Sequence, residues 1–187
     1  MHSLPTDIVG APFSLRHLKP THDIAMALYD IFCEDFDNMR FWLRGENIDS
    51  IDVVLDGIER AYMCDNMYMY YILDKDQIVG EIGFASIFKD DKFAYVDYWL
   101  APNVRGRKII DGLLPIVEKL AFDNLKMDKV LLCIDVDNVA SRKVAERNGY
   151  TLNGISKSAK VWIDGSIHDE CEYSKLKPEL VKEKQNA

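Results

Sequence analysis

Cysteine is scarce in this chain. Four residues, Cys33, Cys64, Cys133 and Cys171, are scattered over 187 positions with no Cys-x-x-Cys pair, which excludes a disulfide framework and a thiolate zinc motif. Cys33 and Cys133 lie in apolar stretches and are expected in the core. The four histidines form no His-Glu-x-x-His arrangement, so no metal is expected. Positive charge is also in deficit: 23 Lys and Arg against 31 Asp and Glu give a net charge of −8. Such a surface repels phosphate backbones and excludes nucleic acid as the expected partner. No apolar run approaches the ~20 residues of a membrane-spanning helix, so no membrane partner is expected. No basic stretch followed by an apolar one opens the chain, and a cytoplasmic location is expected. A dinucleotide-type Gly-x-Gly-x-x-Gly is missing, and so is a nucleotide-triphosphate loop ending Gly-Lys-Ser/Thr.

What is present is globular. With 48% hydrophobic and 29% charged residues, the chain can bury about 70% of its unfolded surface as one domain. That domain is expected over 1–180, with the Lys/Glu-rich 181–187 as a flexible tail. Thr21 and Ser50 are placed to cap two helices. The first carries Ile24, Leu28, Ile31, Phe32 and Phe36 at helical spacing, and the second Ile51, Val54, Leu55, Ile58, Ala61 and Tyr62. From Met67 the pattern becomes strands. Met67–Leu73, Ile78–Phe88 and Phe93–Leu100 are separated by the charged turns at 74–77 and 89–92, an antiparallel meander.

Beyond Pro102 helix and strand alternate. Ile109, Ile110, Leu113, Leu114, Val117, Leu120 and Ala121 mark an amphipathic helix, and Lys129–Val136 a buried strand. Asn138–Asn148 is a short helix closed by Gly149, and two strands near Ser156–Ile163 and Ile167–Leu176 end the fold. A strand–helix–strand step implies one parallel pair in an otherwise antiparallel sheet. The fold class is therefore α/β: a single domain with a mixed, mostly antiparallel sheet flanked by helices.

Two segments carry chemistry. Val104 to Ile110 follows a strand and opens a helix, where unpaired amides and the helix dipole favour an anion. Arg105, Arg107 and Lys108 add cationic groups there. Asn138 and Ser141 stand at the start of the next helix, where ligands of α/β folds bind, although Asn138 is equally read as an N-cap.

Together these segments resemble the GNAT superfamily of acetyl-CoA-dependent N-acetyltransferases, and within it the ribosomal-protein N-acetyltransferases of the RimJ/RimL type. The resemblance rests on Asp97-Tyr98-Trp99-Leu100, Arg105 to Ile110, Asn138-x-x-Ser141 and Gly149-Tyr150. Leu15-Arg16, Arg40-Phe41-Trp42-Leu43, Gly80 and Trp162-x-x-Gly165-x-x-His168-Asp169 extend it. It implies that the parallel pair splays apart and that acetyl-CoA is held by Trp99, Leu100, Arg105, Gly106, Arg107, Lys108, Ile109, Ile110, Asn138 and Ser141. Ala145 stands where many relatives carry a proton-donating tyrosine, so Ser141 is expected to be the general acid. Tyr95, Asp97 and Trp99 share a strand face. Asp97 is expected to be the base, with Glu81 and His168 as further candidates. Trp42, Glu81, Tyr95 and His168 are the expected acceptor-side residues. Lys108 occupies a position that is glycine in the family, and Pro115 implies either a kink or a helix that starts late with Asp111 as its cap. The resemblance implies transfer of acetyl to a primary amine, such as a ribosomal-protein N-terminus or a small molecule, with homodimerisation left open. A CoA-binding sensor without turnover is the alternative.

Overall fold

The computed structural model describes residues 4–10, 12–36, 48–162 and 165–185. Among these residues eight strands form one sheet in the order β1-β2-β3-β4-β5-β6-β8-β7. They are β1 (Asp7–Ile8), β2 (Phe13–Arg16), β3 (Tyr68–Asp74), β4 (Gln77–Phe88), β5 (Phe93–Leu100), β6 (Lys129–Asp135), β7 (Thr151–Val161) and β8 (Ile167–Leu176). Among the described residues five α-helices accompany them: α1 (His22–Glu34), α2 (Ile51–Tyr62), α3 (Ile109–Lys119), α4 (Val139–Arg147) and α5 (Pro178–Gln185). All neighbouring strands pair antiparallel except β5 with β6. This is the mixed sheet expected from the alternation of elements. The terminal helix α5 runs across the boundary at Leu180 that composition suggested.

The caps act as expected. Thr21 and Ser50 each accept a hydrogen bond from the backbone N–H three residues on, at 3.3 Å. Helix α1 buries Ala25, Leu28 and Phe32. Phe36, expected on that stripe, is 43% exposed, because α1 ends at Glu34 and the chain turns before the stripe reaches it. Cys33 is likewise exposed: it stands one position past Phe32, off the 3–4 spacing. Among the cysteines the buried one is Cys171 on β8.

Each sheet face buries its own cluster. One face gathers Ile82, Phe84, Val96 and Leu132 against α3 residues Leu113, Leu114 and Val117. The other sets Tyr71, Leu73 and Trp99 against Leu28 and Phe32 of α1 and Val54 of α2. Strand alternation therefore assigns Tyr71, Glu81, Asp97 and Trp99 to the α1/α2 side. Helix α3 begins at Ile109 and runs through Pro115 into a π-helical turn at Leu120–Asn124. Asp111 lies in its first turn and does not cap it, which removes the late start. The cost of Pro115 is the lost backbone bond to the Asp111 carbonyl.

Candidate active site

The parallel pair gives the site its shape. Phe93, Ala94 and Tyr95 pair with Lys129, Val130 and Leu131, and the ladder stops there. Beyond it no ladder joins Val96–Leu100 to Leu132–Asp135, and the two strands part there. Between them lies a cavity of about 510 Å³, lined by both strand ends, the start of α3 and the start of α4.

At its mouth stands the helix start. Gly106 has φ +74°, a left-handed conformation that glycine adopts without cost, and a Cβ there would meet nothing within 4 Å. Lys108 follows at φ +57° as the N-cap of α3, with no side-chain cap bond. Lys108 itself offers the first turn of α3 no side-chain acceptor, and Ile109 and Ile110 line the cavity. An uncapped helix start in an open cleft fits a diphosphate. Holding a lysine left-handed costs about 1 kcal/mol, so Lys108→Gly should raise the thermal midpoint of the ligand-free protein by about 2–4 °C. Thermal unfolding followed by circular dichroism checks this.

The cations at this mouth are not equivalent. Arg105 donates from Nε to the Leu100 carbonyl at 2.9 Å and forms an ion pair with Asp35. It lines the cavity, but its main task is to bind the turn to β5 and to the end of α1. Arg107 donates to the Asn103 carbonyl at 2.8 Å and does not line the cavity. Lys108, Lys143, Arg147 and Lys160 do. Of these, Lys143, Arg147 and Lys160 were not read from the sequence. For Arg147 the signal was spacing, since Ala140, Val144 and Arg147 lie on one side of α4. Arg147 grips Asp111 with two hydrogen bonds of 2.8 and 2.9 Å. That grip holds the Asp111 carboxyl below its ordinary range and fixes α3 against α4.

Asn138 is an N-cap: its side-chain oxygen accepts from the Ser141 amide at 3.1 Å. The bond also brings Ser141 to the cavity wall. Tyr98 of β5 donates to the Ser141 carbonyl at 3.4 Å. Burial pushes its phenol up to about 12, opposed by a side-chain hydrogen bond with Ser141. Tyr98 therefore ties the strand edge to the helix start, a role that sequence reasoning missed. Ala145 is fully buried, so no side chain there reaches the cleft.

A second cavity, of about 370 Å³, lies on the other face between the sheet and helices α1 and α2. Glu81 and Asp97 are the carboxylates on its wall, and Asp97 lines both cavities. Register explains the arrangement. Glu81 pairs with Trp99 and Gly83 with Asp97, so the carboxylates are diagonal neighbours with no side chain at Gly83 between them. Glycine is required at 83, because a Cβ would come within 2.4 Å of the Tyr68 carbonyl oxygen. Glu81 is 5% exposed and accepts from Trp99 Nε1 at 2.7 Å. Burial raises its carboxyl to about 7, and the Trp99 bond pulls the other way.

The remaining expected residues fall elsewhere. Tyr95 packs edge-on against Phe88 and Phe93 and lines neither cavity. His168 also lines neither. Its ring stacks on Trp162 at 3.3 Å, with Nδ1 3.2 Å from Asp135 and Nε2 2.9 Å from Ser166 Oγ. Asp135, Asp137 and His168 bring possible ligand atoms within 4.8 Å of one another, a grouping their spacing did not suggest. Trp42 lies outside the described residues.

A splayed strand pair with a free helix start at its mouth and a carboxylate-floored cavity behind it defines an acyl-transfer class of site. The family comparison is specific: residues 13–151 match the acetyltransferase (GNAT) domain. The chain belongs to the GNAT acetyltransferases, which take the acetyl group from acetyl-CoA. It is 28% identical over 181 residues to YdaF of Bacillus subtilis, whose name proposes a ribosomal N-acetyltransferase, covering 94% of this chain and 97% of that one. A ribosomal-protein-serine acetyltransferase of Escherichia coli K12 is 32% identical over 92 residues, 49% of this chain and 51% of its own. The solved structure of the microcin C7 self-immunity acetyltransferase MccE, in complex with acetyl-CoA and AMP, shares the fold. Its TM-score is 0.79 at 23% identity, over 93% of this chain and 98% of that one. Among the described residues, no helix is long and apolar enough to cross a membrane.

Proposed function

We propose that this enzyme acetylates a primary amine, with acetyl-CoA in the cleft between β5 and β6 and the amine in the cavity under α1 and α2. The observation that carries the reading is Asp97, which faces both spaces from the strand between them. Acetyl-CoA supplies an acetyl group already activated as a thioester. The helix start at Gly106, Lys108, Ile109 and Ile110 takes its diphosphate, and the end of β5 at Trp99 and Leu100 takes its amide chain. Asp97 draws the ammonium group to the partition. Glu81, its carboxyl near neutrality, takes the proton that must leave before nitrogen can attack. Ser141, held by Asn138 and Tyr98, returns a proton to the departing thiolate. The names of the two relatives support a ribosomal-protein N-terminus as the acceptor.

Release of free thiol from acetyl-CoA in the presence of amines tests the reading directly. Ser141→Ala should lower kcat by roughly 10²-fold and leave the CoA-induced thermal shift unchanged. Unaltered turnover removes Ser141 from the mechanism. A clear shift with CoA and no thiol release for any amine points instead to a CoA sensor.

A further inference from the structure

We infer that the cavity between the sheet and helices α1 and α2 selects a monoamine borne on an uncharged, apolar body, its ammonium group set against Glu81 and Asp97. This deepens the acetyltransferase reading and rests on it. The cavity holds about 370 Å³ and is walled by Leu28, Phe32, Val54, Ile58, Met67 and Tyr71, among others. Among the described residues no lysine or arginine lines it, and Glu81 and Asp97 are its only carboxylates. His17 closes one wall, stacked on Tyr68 at 3.8 Å and on Tyr62 at 5.0 Å, with Nδ1 donating to the Met69 carbonyl at 2.8 Å.

Charge matching then sorts the acceptors. One ammonium group meets two carboxylates on the sheet. A second ammonium, as in a polyamine or an aminoglycoside, would be desolvated against aliphatic walls that offer no further carboxylate among the described residues. A carboxylate beside the amine, as in a free amino acid, would meet Glu81 and Asp97 with no lysine or arginine among the described lining residues to offset it. Either burial is expensive. An apolar body gains from contact instead, and Met67 and Met69 give that wall adaptable side chains. A free lipophilic amine and a peptide N-terminus with an apolar first residue share this chemistry.

The test measures kcat/KM by thiol release with 2-phenylethylamine, a tetrapeptide beginning with Phe, free phenylalanine, spermidine and kanamycin. The expected result is at least a tenfold preference for 2-phenylethylamine or the peptide over the other three, and the better of the two identifies the source. A preference for spermidine or kanamycin, or equal use of free phenylalanine, overturns the inference while the acetyltransferase reading stands. No thiol release with any acceptor overturns that reading and the inference with it. Gly57 lies within α2 and lines the cavity, and leucine there suits a helix better than glycine does. Gly57→Leu should therefore fold, fill the space, and raise KM for 2-phenylethylamine at least tenfold with an unchanged CoA-induced thermal shift. An unchanged KM in a folded variant would show that the amine does not bind in this cavity.

Discussion

Glu81→Gln is expected to lower kcat/KM by at least 10²-fold, the usual scale for loss of a positioned base, and at the same time to make the protein more stable at neutral pH. Both effects follow from one observation. Burial raises the Glu81 carboxyl from its ordinary 4.5 to about 7. In the native state, between these values, the group binds a proton that the unfolded chain has released. Stability therefore falls as pH rises through that window, by roughly 3 kcal/mol in order of magnitude at about 1.4 kcal/mol per unit. Above about 7 the full cost is present, and glutamine removes it. In the native enzyme the rate should climb with pH to a plateau just above 7, as Glu81 becomes able to accept a proton. The glutamine variant should lose that acid limb. Trp99→Phe supplies a control: removing the 2.7 Å bond that favours the charged carboxylate should move the limb to higher pH. Denaturant titrations at pH 5 and pH 8 and a pH–rate profile measure both sides. A variant that keeps the acid limb would show that another group carries the titration.

The divide between what could be read from the chain and what could not follows the range of the interaction. The hairpins were legible because Asp74-Lys75-Asp76-Gln77 and Lys89-Asp90-Asp91-Lys92 interrupt β-rich runs locally. Capped helices were legible because Thr21 and Ser50 act on an amide three residues away. The order of elements around the parallel pair also followed from the chain, since handed strand–helix–strand steps leave few arrangements. Long-range pairing was hidden. That Arg105 is held by Asp35, 70 positions earlier, and so does little for an anion, depends on how α1 lies beside the turn. The burial of Glu81 depends on the register that sets it beside Trp99. Asp97 was identified from strand alternation, but its place on the wall of both cavities depends on where the β5–β6 ladder ends. His168 matched a motif, yet its ring is occupied by Trp162, Asp135 and Ser166. A motif shows which residues recur together, and packing decides which of them face a ligand.

At a position that lines neither cavity, Lys175→Met is expected to destabilise the protein by about 3–5 kcal/mol, the scale for leaving a buried charge without its partner. That corresponds to a fall in thermal midpoint of roughly 6–20 °C at about 2–4 °C per kcal/mol. Glu118, near the end of α3, has a side chain only 7% exposed, and Lys175 Nζ on β8 donates to it at 2.7 Å. The same ammonium donates to the Asn148 carbonyl at 2.9 Å, at the end of α4, and lies 5.6 Å from the Tyr150 ring centre. One lysine thus joins three elements that set the angle between α3 and α4, whose N-termini frame the cleft. Burial and the nearby Glu118 charge raise the Tyr150 phenol far above its ordinary range, so it stays neutral and adds no second negative charge beside Glu118. If the loss comes from the stranded carboxylate, Lys175→Met combined with Glu118→Leu should recover most of it, because replacing a buried ion pair by apolar residues is often neutral or better. A double-mutant cycle in denaturant reads the coupling. Additive losses would mean that Lys175 supports the fold through Asn148 instead, and the double variant would then remain as unstable as the sum of the two single ones.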